Sequence, residues 1–149
     1  GTYTGYSALC LAEGLSENGI LHTIDHNEEL VSLQEKFFNK SEYKNQIKQY
    51  TGKALEIIPT ISATFDLVFI DADKSNYVNY FNLVIDKMNK GGVILSDNVL
   101  WSGKVTEPKE NLDDDTLALI AYSEKVNNDE RVQNVLFPIR DGLMIARKK

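Results

Sequence analysis

Strand-like and helix-like segments alternate along the 149 residues, and that alternation predicts an α/β fold: an open, mostly parallel sheet with helices on both faces. Two further observations refine it. Residues 65–71 (FDLVFID) are apolar at almost every position, the pattern of a central parallel strand covered on both faces. Near the C-terminal end, Asp141-Gly142 is a tight-turn pair between two strand-like runs, so an antiparallel hairpin completes the sheet.

The chain opens on Gly1-Thr2-Tyr3-Thr4-Gly5-Tyr6-Ser7, a glycine-rich loop leading into a helix over 6–14 that stops near Gly14. Such a loop ordinarily follows a strand. With no Met at position 1, the sequence reads as a fragment that lacks its N-terminal part, first strand included. Residues 20–25 are the next strand, ending in Asp25. Leu30, Leu33, Phe37 and Phe38 recur at helical spacing, which predicts an amphipathic helix over 28–39. A short strand over 46–50 and a brief helix over 53–58, stopped by Pro59, come next. Strand 65–71 leads to a helix over roughly 75–89, then Gly91-Gly92, then the buried strand VILSD at 93–97. Residues 102–111 are a polar loop. A helix over 113–127 starts at Asp113 or Asp114 as N-cap, and strands over 131–137 and 143–147 flank the turn. No internal repeat, low-complexity tract or second domain is visible, and 149 residues suit a single domain.

Bulk properties narrow the function classes. A net charge of -6 argues against a general nucleic-acid binder and against an anionic membrane surface as partner. Cys10 is the only cysteine, so no intramolecular disulfide can form, and a reducing, cytoplasmic setting is expected. No apolar run approaches the roughly 18 residues of a membrane span, and no basic-plus-apolar leader is present. Cys10 itself, within an apolar helix, reads as packed core. His22 and His26 have no partners at metal-ligand spacing and read as structural or exposed.

In open α/β sheets ligands bind beyond the carboxyl ends of the strands. Asp25, Asp71 and Asp97 all fall at such ends. Gly1 and Gly5, four apart at a helix start, allow a ligand close to backbone N–H donors; a plain loop-to-helix turn is the competing reading. Asp25, about twenty residues on, is where an acid accepts hydrogen bonds from ribose hydroxyls, and the pair together favours a nucleoside-containing cofactor. A third glycine and a Walker-type lysine are both missing, so a dinucleotide or phosphate grip is disfavoured. Asp71-Ala72-Asp73-Lys74 and Asp97-Asn98 end two strands expected to be neighbours. Asp71, Asp97 and Asn98 offer three hard oxygens, a set that suits Mg2+, Mn2+ or Ca2+ and leaves room for water and a bidentate substrate. The alternative is structural: Asp71 caps the following helix and Asp97-Asn98 forms a turn. Lys74 is a solvated surface lysine or, beside a cation, a proton acceptor. Tyr77 and Trp101 are partial core or an aromatic wall for a flat substrate. Asp113-Asp114-Asp115 reads as helix-start charge bias.

Taken together, GTYTGYS, TID at 23–25, TGKAL at 51–55, FDLVFIDADKSNYVNY at 65–80, GGVILSDNVLWSGKV at 91–105 and PIRDGL at 138–143 give a further expectation. The sequence resembles the cation-dependent class I O-methyltransferases, the group of the caffeoyl-CoA and catechol enzymes, with bacterial members nearest. The matching segments run in family order over nearly the whole chain. The resemblance implies a Rossmann-like methyltransferase domain over 1–149, lacking the N-terminal helices and first strand, and a homodimer. It implies that Gly1, Thr2 and Ser7 contact S-adenosylmethionine, that Asp25 holds its ribose and that Ala54 lies near the adenine. Asp73 would lie near the methionine end, with Asp71 also on the cofactor side. Asp71, Asp97 and Asn98 would bind the metal, most simply Mg2+, and Lys74 would be the base. Trp101 and Ser102 would meet the substrate; Ser102 stands where plant enzymes have an asparagine, which weighs against a plant-like acyl-CoA acceptor. The implied reaction is methyl transfer to a small aromatic vicinal diol. Two other readings stay open: a methyltransferase with a different, metal-independent acceptor, and a non-catalytic nucleoside-binding module.

Overall fold

Parallel strand pairing occurs twice in the computed structural model, which describes all 149 residues in two units, Gly1–Ile61 and Ser62–Lys149. In the first unit, Leu21–Asp25 (β1) pairs with Ile47–Thr51 (β2) in parallel register, Leu21 opposite Ile47 and Asp25 opposite Thr51. Helix α1 (Tyr6–Ala12) precedes them, α2 (Val31–Phe38) links them, and α3 (Ala54–Ile57) follows. The helix expected over 28–39 begins as a 3-10 turn, Glu28–Leu30, because the Asn27 side chain accepts the Glu29 N–H and tightens the first turn. Ala8, Ala12, Phe38, Ile58 and Ile61 are buried. Cys10 departs from the expectation: it is exposed, on the face of α1 opposite Ala8 and Ala12.

The second unit is a four-stranded sheet in the order β3-β4-β6-β5. Phe65–Ile70 (β3) and Met88–Asp97 (β4) are parallel, and α4 (Tyr77–Ile85) connects them. Helix α5 (Asp114–Asn127) then leads to Val132–Phe137 (β5) and Leu143–Lys148 (β6). The hairpin is present, and β6 also pairs antiparallel with β4, Asp97 opposite Leu143. Its connection spans residues 138–142 instead of a two-residue turn, with Arg140 and Gly142 both at positive φ.

Two expectations change and an open choice is resolved, each for an identifiable reason. The helix expected to reach residue 89 ends at Ile85, and Met88 already pairs with Phe65. Gly91 (φ 83) and Gly92 lie inside β4, where the register against β3 shifts between Phe65 and Leu67. Such an irregularity bends the strand, and a Cβ at Gly92 would stand 2.9 Å from the Asn89 carbonyl oxygen and 3.1 Å from that of Phe65. The glycine pair is therefore a bulge within a strand and not the approach to one. Second, β3 is hydrogen-bonded on one side only within its sheet, and Leu67 and Phe69 are 47% and 38% exposed, so it is not covered on both faces as expected. Third, Asp113, rather than Asp114, is the N-cap of α5: its carboxylate accepts from the Thr116 N–H at 2.8 Å. A salt bridge from Lys104 at 2.8 Å and the bonds from Thr116 hold its carboxyl well below the usual range.

The core of this unit is aromatic on the helix side. Tyr77, Phe81 and Tyr122 are fully buried, and Tyr122 meets both other rings edge-on at 5.4 and 6.2 Å. The Tyr122 hydroxyl, buried along with Ser96 Oγ, shares a 2.5 Å hydrogen bond with it; burial pushes its pKa up to about 12. That bond fastens α5 to β4 one residue before the carboxyl end of the strand. No helix is long and apolar enough to cross a membrane.

Replacing Gly92 by Ala tests the bulge. The added methyl meets backbone that cannot yield cheaply, and a loss of about 2 kcal/mol in urea unfolding is expected, with the slope unchanged. Stability equal to the parent would show that the strand accommodates a Cβ there.

Candidate functional site

In the first unit the candidate residues converge on the loop before α1. Gly5 sits at φ 87 and donates its N–H to the Thr2 carbonyl at 2.9 Å, while Tyr3 also has positive φ. A side chain at Gly5 would strike the Phe38 ring at 2.8 Å, so this glycine is required both by its dihedral and by packing. Thr2, 3% exposed, shares a 2.7 Å hydrogen bond with Thr23 of β1. Asp25, at the end of β1, accepts the Tyr3 N–H at 2.6 Å on one oxygen and the Asn27 N–H at 2.9 Å on the other. Burial alone would raise its pKa, but these two backbone donors outweigh it and hold the carboxyl below its ordinary value. Gly1 lies beside Asp25 with 3.3 Å from its ideal Cβ to the carboxylate. Ser7 is exposed on the first turn of α1, and Ala54 is half-buried at the start of α3.

Sequence reasoning does not find Gln34. It is fully buried on α2, donates to the Tyr3 carbonyl at 2.6 Å, and accepts from Gln49 of β2 at 2.5 Å. An amide in an otherwise amphipathic helix is the available signal, since such a group, once buried, must be satisfied by specific partners. It braces the loop from below. His22 is structural, as expected: its ring stacks on Tyr50 and its Nδ1 lies 2.9 Å from the Tyr50 hydroxyl.

In the second unit, parallel register places Ile70 opposite Ser96. Asp71 and Asp97, one residue further along each strand, therefore lie at the same sheet edge, followed by Asn98 at φ 62. The side chain that joins two of them, Asp71 and Asn98, is Lys74. Far from being solvated, it is 8% exposed. Its Nζ donates to the Tyr77 hydroxyl at 2.6 Å, to Asn98 Oδ1 at 3.0 Å and to Asp71 Oδ1 at 3.4 Å. The ammonium also lies 4.7 Å from the Tyr77 ring centroid and 5.6 Å from that of Trp101. Tyr77, in turn, donates to the Asp97 carbonyl at 3.0 Å, with the Ile70 carbonyl at 3.4 Å, so one hydroxyl ties both strand ends. Burial and then the charges of Asp71 and Asp97 push its pKa far up, and it remains a protonated donor.

The loop after β4 is held from the hairpin. Leu100 and Val99 donate their N–H groups to the carbonyls of Asp141 and Gly142 at 2.9 and 3.1 Å, and the Asp141 carboxylate accepts the Ser102 N–H. Trp101, Ser102 and Gly103 are successive left-handed residues, which turn the Trp101 ring back over Lys74 while the Ser102 side chain stays exposed. Asp73 turns its carboxylate onto its own helix start: it accepts from the Tyr80 hydroxyl at 2.5 Å, and from Asn76 and Ser75. Burial opposes ionisation there, but the Tyr80 and Asn76 bonds outweigh it and keep the carboxyl below its usual value.

A cavity of about 360 Å³ opens beside Asp97 and Asn98, walled by the apolar side chains of Phe69, Ile139 and Leu143. Its size falls within the range of small-ligand sites. The oxygen set at the strand ends fits a hard divalent cation: two of its three members already hold a positive charge, the Lys74 ammonium. Asp97 offers the third carboxylate or amide group; one of its oxygens is engaged by the Asn98 N–H at 2.7 Å. No three His, Cys, Asp or Glu side chains are arranged so that they alone could hold a metal ion, so a cation here would depend on the amide of Asn98 as well as the two acids.

Comparison with known proteins places these features. A family model described as O-methyltransferase matches residues 1–149. The chain is 35% identical over 153 residues to probable caffeoyl-CoA O-methyltransferase 2 of Dictyostelium discoideum, covering 99% of this chain and 66% of that protein. It is 35% identical over 162 residues to caffeoyl-CoA O-methyltransferase 1 of Arabidopsis thaliana, covering 99% of this chain and 61% of the relative. The chain thus spans less than two thirds of the length of these relatives. Among solved structures, the O-methyltransferase TomG of Streptomyces achromogenes, in complex with SAM, superposes with a TM-score of 0.92 at 27% identity, over all of this chain and 70% of that one.

Two substitutions test the geometry. Tyr77→Phe removes the hydroxyl shared by Lys74 and the Asp97 carbonyl and leaves a buried ammonium short of a partner; a loss of about 2 kcal/mol is expected by denaturant unfolding. For Asp25→Asn the expected effect depends on pH. The folded carboxyl is depressed, so its contribution is present above the unfolded value of about 4 and is lost as pH falls through the folded one. The stability gap between parent and variant is expected to be about 1 kcal/mol at neutral pH and to close in acid; a gap independent of pH would mean that the charge on Asp25 is not what the loop uses.

Proposed function

The chain belongs to the O-methyltransferase family, and we propose that it transfers a methyl group from S-adenosylmethionine to one hydroxyl of a vicinal aromatic diol with the help of a divalent cation. The observation that carries this reading is the Lys74 ammonium drawn onto Asn98 and Asp71 at the ends of two parallel strands. Hard oxygens gathered at a sheet edge and already balancing a positive charge are suited to a cation that two neighbouring diol oxygens can share. The methyl donor is supported by the fixed loop before α1, and by the SAM complex of TomG. One family model spans both units, in keeping with a single methyltransferase domain over 1–149.

In this reading Asp71, Asp97 and Asn98 hold the cation. When bound, it would lower the pKa of a coordinated hydroxyl, as divalent ions do for water. The chain's own groups do the rest. Asp25, kept ionised by two backbone N–H groups, accepts the ribose hydroxyls, while Gly1, Thr2, Ser7 and Ala54 shape the cofactor's bed. Lys74, whose Nζ lies within reach of Asn98 and Asp71, would take the hydroxyl proton. The acceptor oxygen bonds to the methyl carbon as the carbon–sulfur bond breaks, and S-adenosylhomocysteine leaves. Trp101, packed over Lys74, offers a flat wall for an aromatic acceptor, with the Ser102 backbone fixed beside it. Fixed groups of this kind act chiefly by positioning.

One observation favours a second reading. Lys74 already occupies two members of the oxygen set, the Asp71 carboxylate and the Asn98 amide, so the same ammonium could assist an acceptor hydroxyl without any metal. Chelation separates the two. Under the proposal, EDTA abolishes turnover of a catechol and Mg2+ or Mn2+ restores it, and Asp97→Ala lowers divalent-dependent turnover at least about a hundredfold while S-adenosylmethionine affinity stays within a few-fold of the parent. Turnover indifferent to chelator and to Asp97→Ala would leave the metal-free reading standing.

A further inference from the structure

We propose that Arg140 is a specificity-determining residue that selects acceptors carrying a carboxylate, so that the substrate class is an acidic aromatic diol and not its neutral ester. The inference rests on the diol reading of the site and adds the chemistry of its far end.

Arg140 lines the cavity that also contains Asp97 and Asn98. Its guanidinium is exposed and forms no hydrogen bond, salt bridge or ring contact, in contrast to Arg131, which is bonded to both Asp129 and Asp86. Two carboxylates share the cavity with it, yet neither is its partner. Asp141 is spent on the Ser102 N–H, and Asp97 is engaged by the Asn98 N–H and assigned to the cation. The result is a planar, five-donor cation without a protein anion, lining a cavity whose other walls are both apolar (Phe69, Ile139, Leu143) and polar (Asp97, Asn98, Asp141); such a group receives a carboxylate through two parallel hydrogen bonds.

The backbone holds it there at a cost. Arg140 has φ 53, a left-handed conformation that a non-glycine residue adopts with strain. The turn that imposes it is closed by the Gly142 N–H on the Ile139 carbonyl at 2.9 Å. Gly142 is in turn fixed against Leu100, whose Cγ would lie 2.5 Å from a Cβ at that position. Glycine would suit position 140 better than arginine on conformational grounds alone. Backbone conformation therefore does not account for the arginine, and the residue lines a cavity together with Phe69 and Ile139. The arrangement suits an acceptor whose diol lies at Asp97 and Asn98 and whose acid reaches the guanidinium.

The test compares a free acid with its neutral ester, using caffeate and methyl caffeate, in the full chain and in Arg140→Gly, a substitution that relieves the backbone and so preserves the fold. Equilibrium binding by calorimetry is read first, with turnover alongside. The parent is expected to prefer the acid by about tenfold, the worth of one charged hydrogen-bonded contact at an accessible position, and Arg140→Gly is expected to bring the acid-to-ester ratio to about one. Arg140→Glu is expected to turn the preference toward a catechol bearing an aminoalkyl chain. A parent ratio near one, or a ratio unmoved by both substitutions, overturns the proposal, as does a preference for caffeoyl-CoA over caffeate that survives in Arg140→Gly. Because the ratio is read from binding, loss of the methyl-transfer reading alone, seen as binding of both ligands without turnover, leaves the Arg140 result to stand or fall by itself.

Discussion

An ammonium group taken almost out of water must have its three hydrogens satisfied by fixed oxygens, and Lys74 organises the second unit through that requirement. Its partners come from three different places: Asp71 beyond β3, Asn98 beyond β4, and Tyr77 on α4. None could move far without stranding a buried charge. Tyr77 extends the constraint, because the hydroxyl that accepts from Lys74 also donates to the carbonyl that ends β4. The strand ends are thus held together by a polar network that includes the candidate site residues Asp71, Lys74 and Asn98. Ser96 and Tyr122 repeat the device one residue back, and there the bond is wholly buried and purely structural.

The same network explains why the loop after β4 is so contorted without being loose. Asn98, Trp101, Ser102 and Gly103 all have positive φ, an improbable run unless outside contacts compel it. The compelling contacts come from the hairpin: the carbonyls of Asp141 and Gly142, and the Asp141 carboxylate, accept from three N–H groups of this loop. β6 is therefore more than the last strand. By pairing with β4 and following directly on Asp141 and Gly142, it sets the position of the Trp101 ring over Lys74 and of Arg140 at the cavity. A strain-bearing loop and a strain-bearing arginine are both fixed by one short connection, residues 138–142.

The order of elements was legible because hydrophobic period and turn residues act locally, and β3 and β4 are neighbours as expected, since consecutive elements usually lie side by side. The oxygen cluster was legible for the same reason: DADK and SDN each end an apolar strand, so their placement needs only parallel register. What could not be read were facts that depend on distant partners. Gly91-Gly92 looks like a strand start, and only the opposing Phe65 carbonyl shows that it is a bulge. Cys10 looks like core because its neighbours are apolar, whereas the helix turns it outward. Lys74 as a surface lysine is the ordinary expectation; its burial arises from Tyr77, Trp101 and Asn98 together. Gln34 and Asp141 carry no motif at all, and their roles exist only in the contacts they make.

The two acidic strand ends finally differ in a way that bears on what each can do. Asp25 has both oxygens engaged by backbone N–H groups that lie within its own unit and hold it ionised, so its geometry is fixed whatever binds. A carboxylate prepared in that way is an acceptor for neutral hydroxyls, since it asks for no further charge. Asp71 meets Lys74 only at 3.4 Å, with its side chain 47% exposed, and shares the ammonium with an amide and a phenol. A carboxylate that is half exposed and shares a buried ammonium with two other groups keeps a side open to an incoming cation. The backbone-locked acid suits a site that recognises, and the half-exposed one beside an ammonium suits a site where charge is exchanged; the chain has put one at the end of β1 and the other at the end of β3.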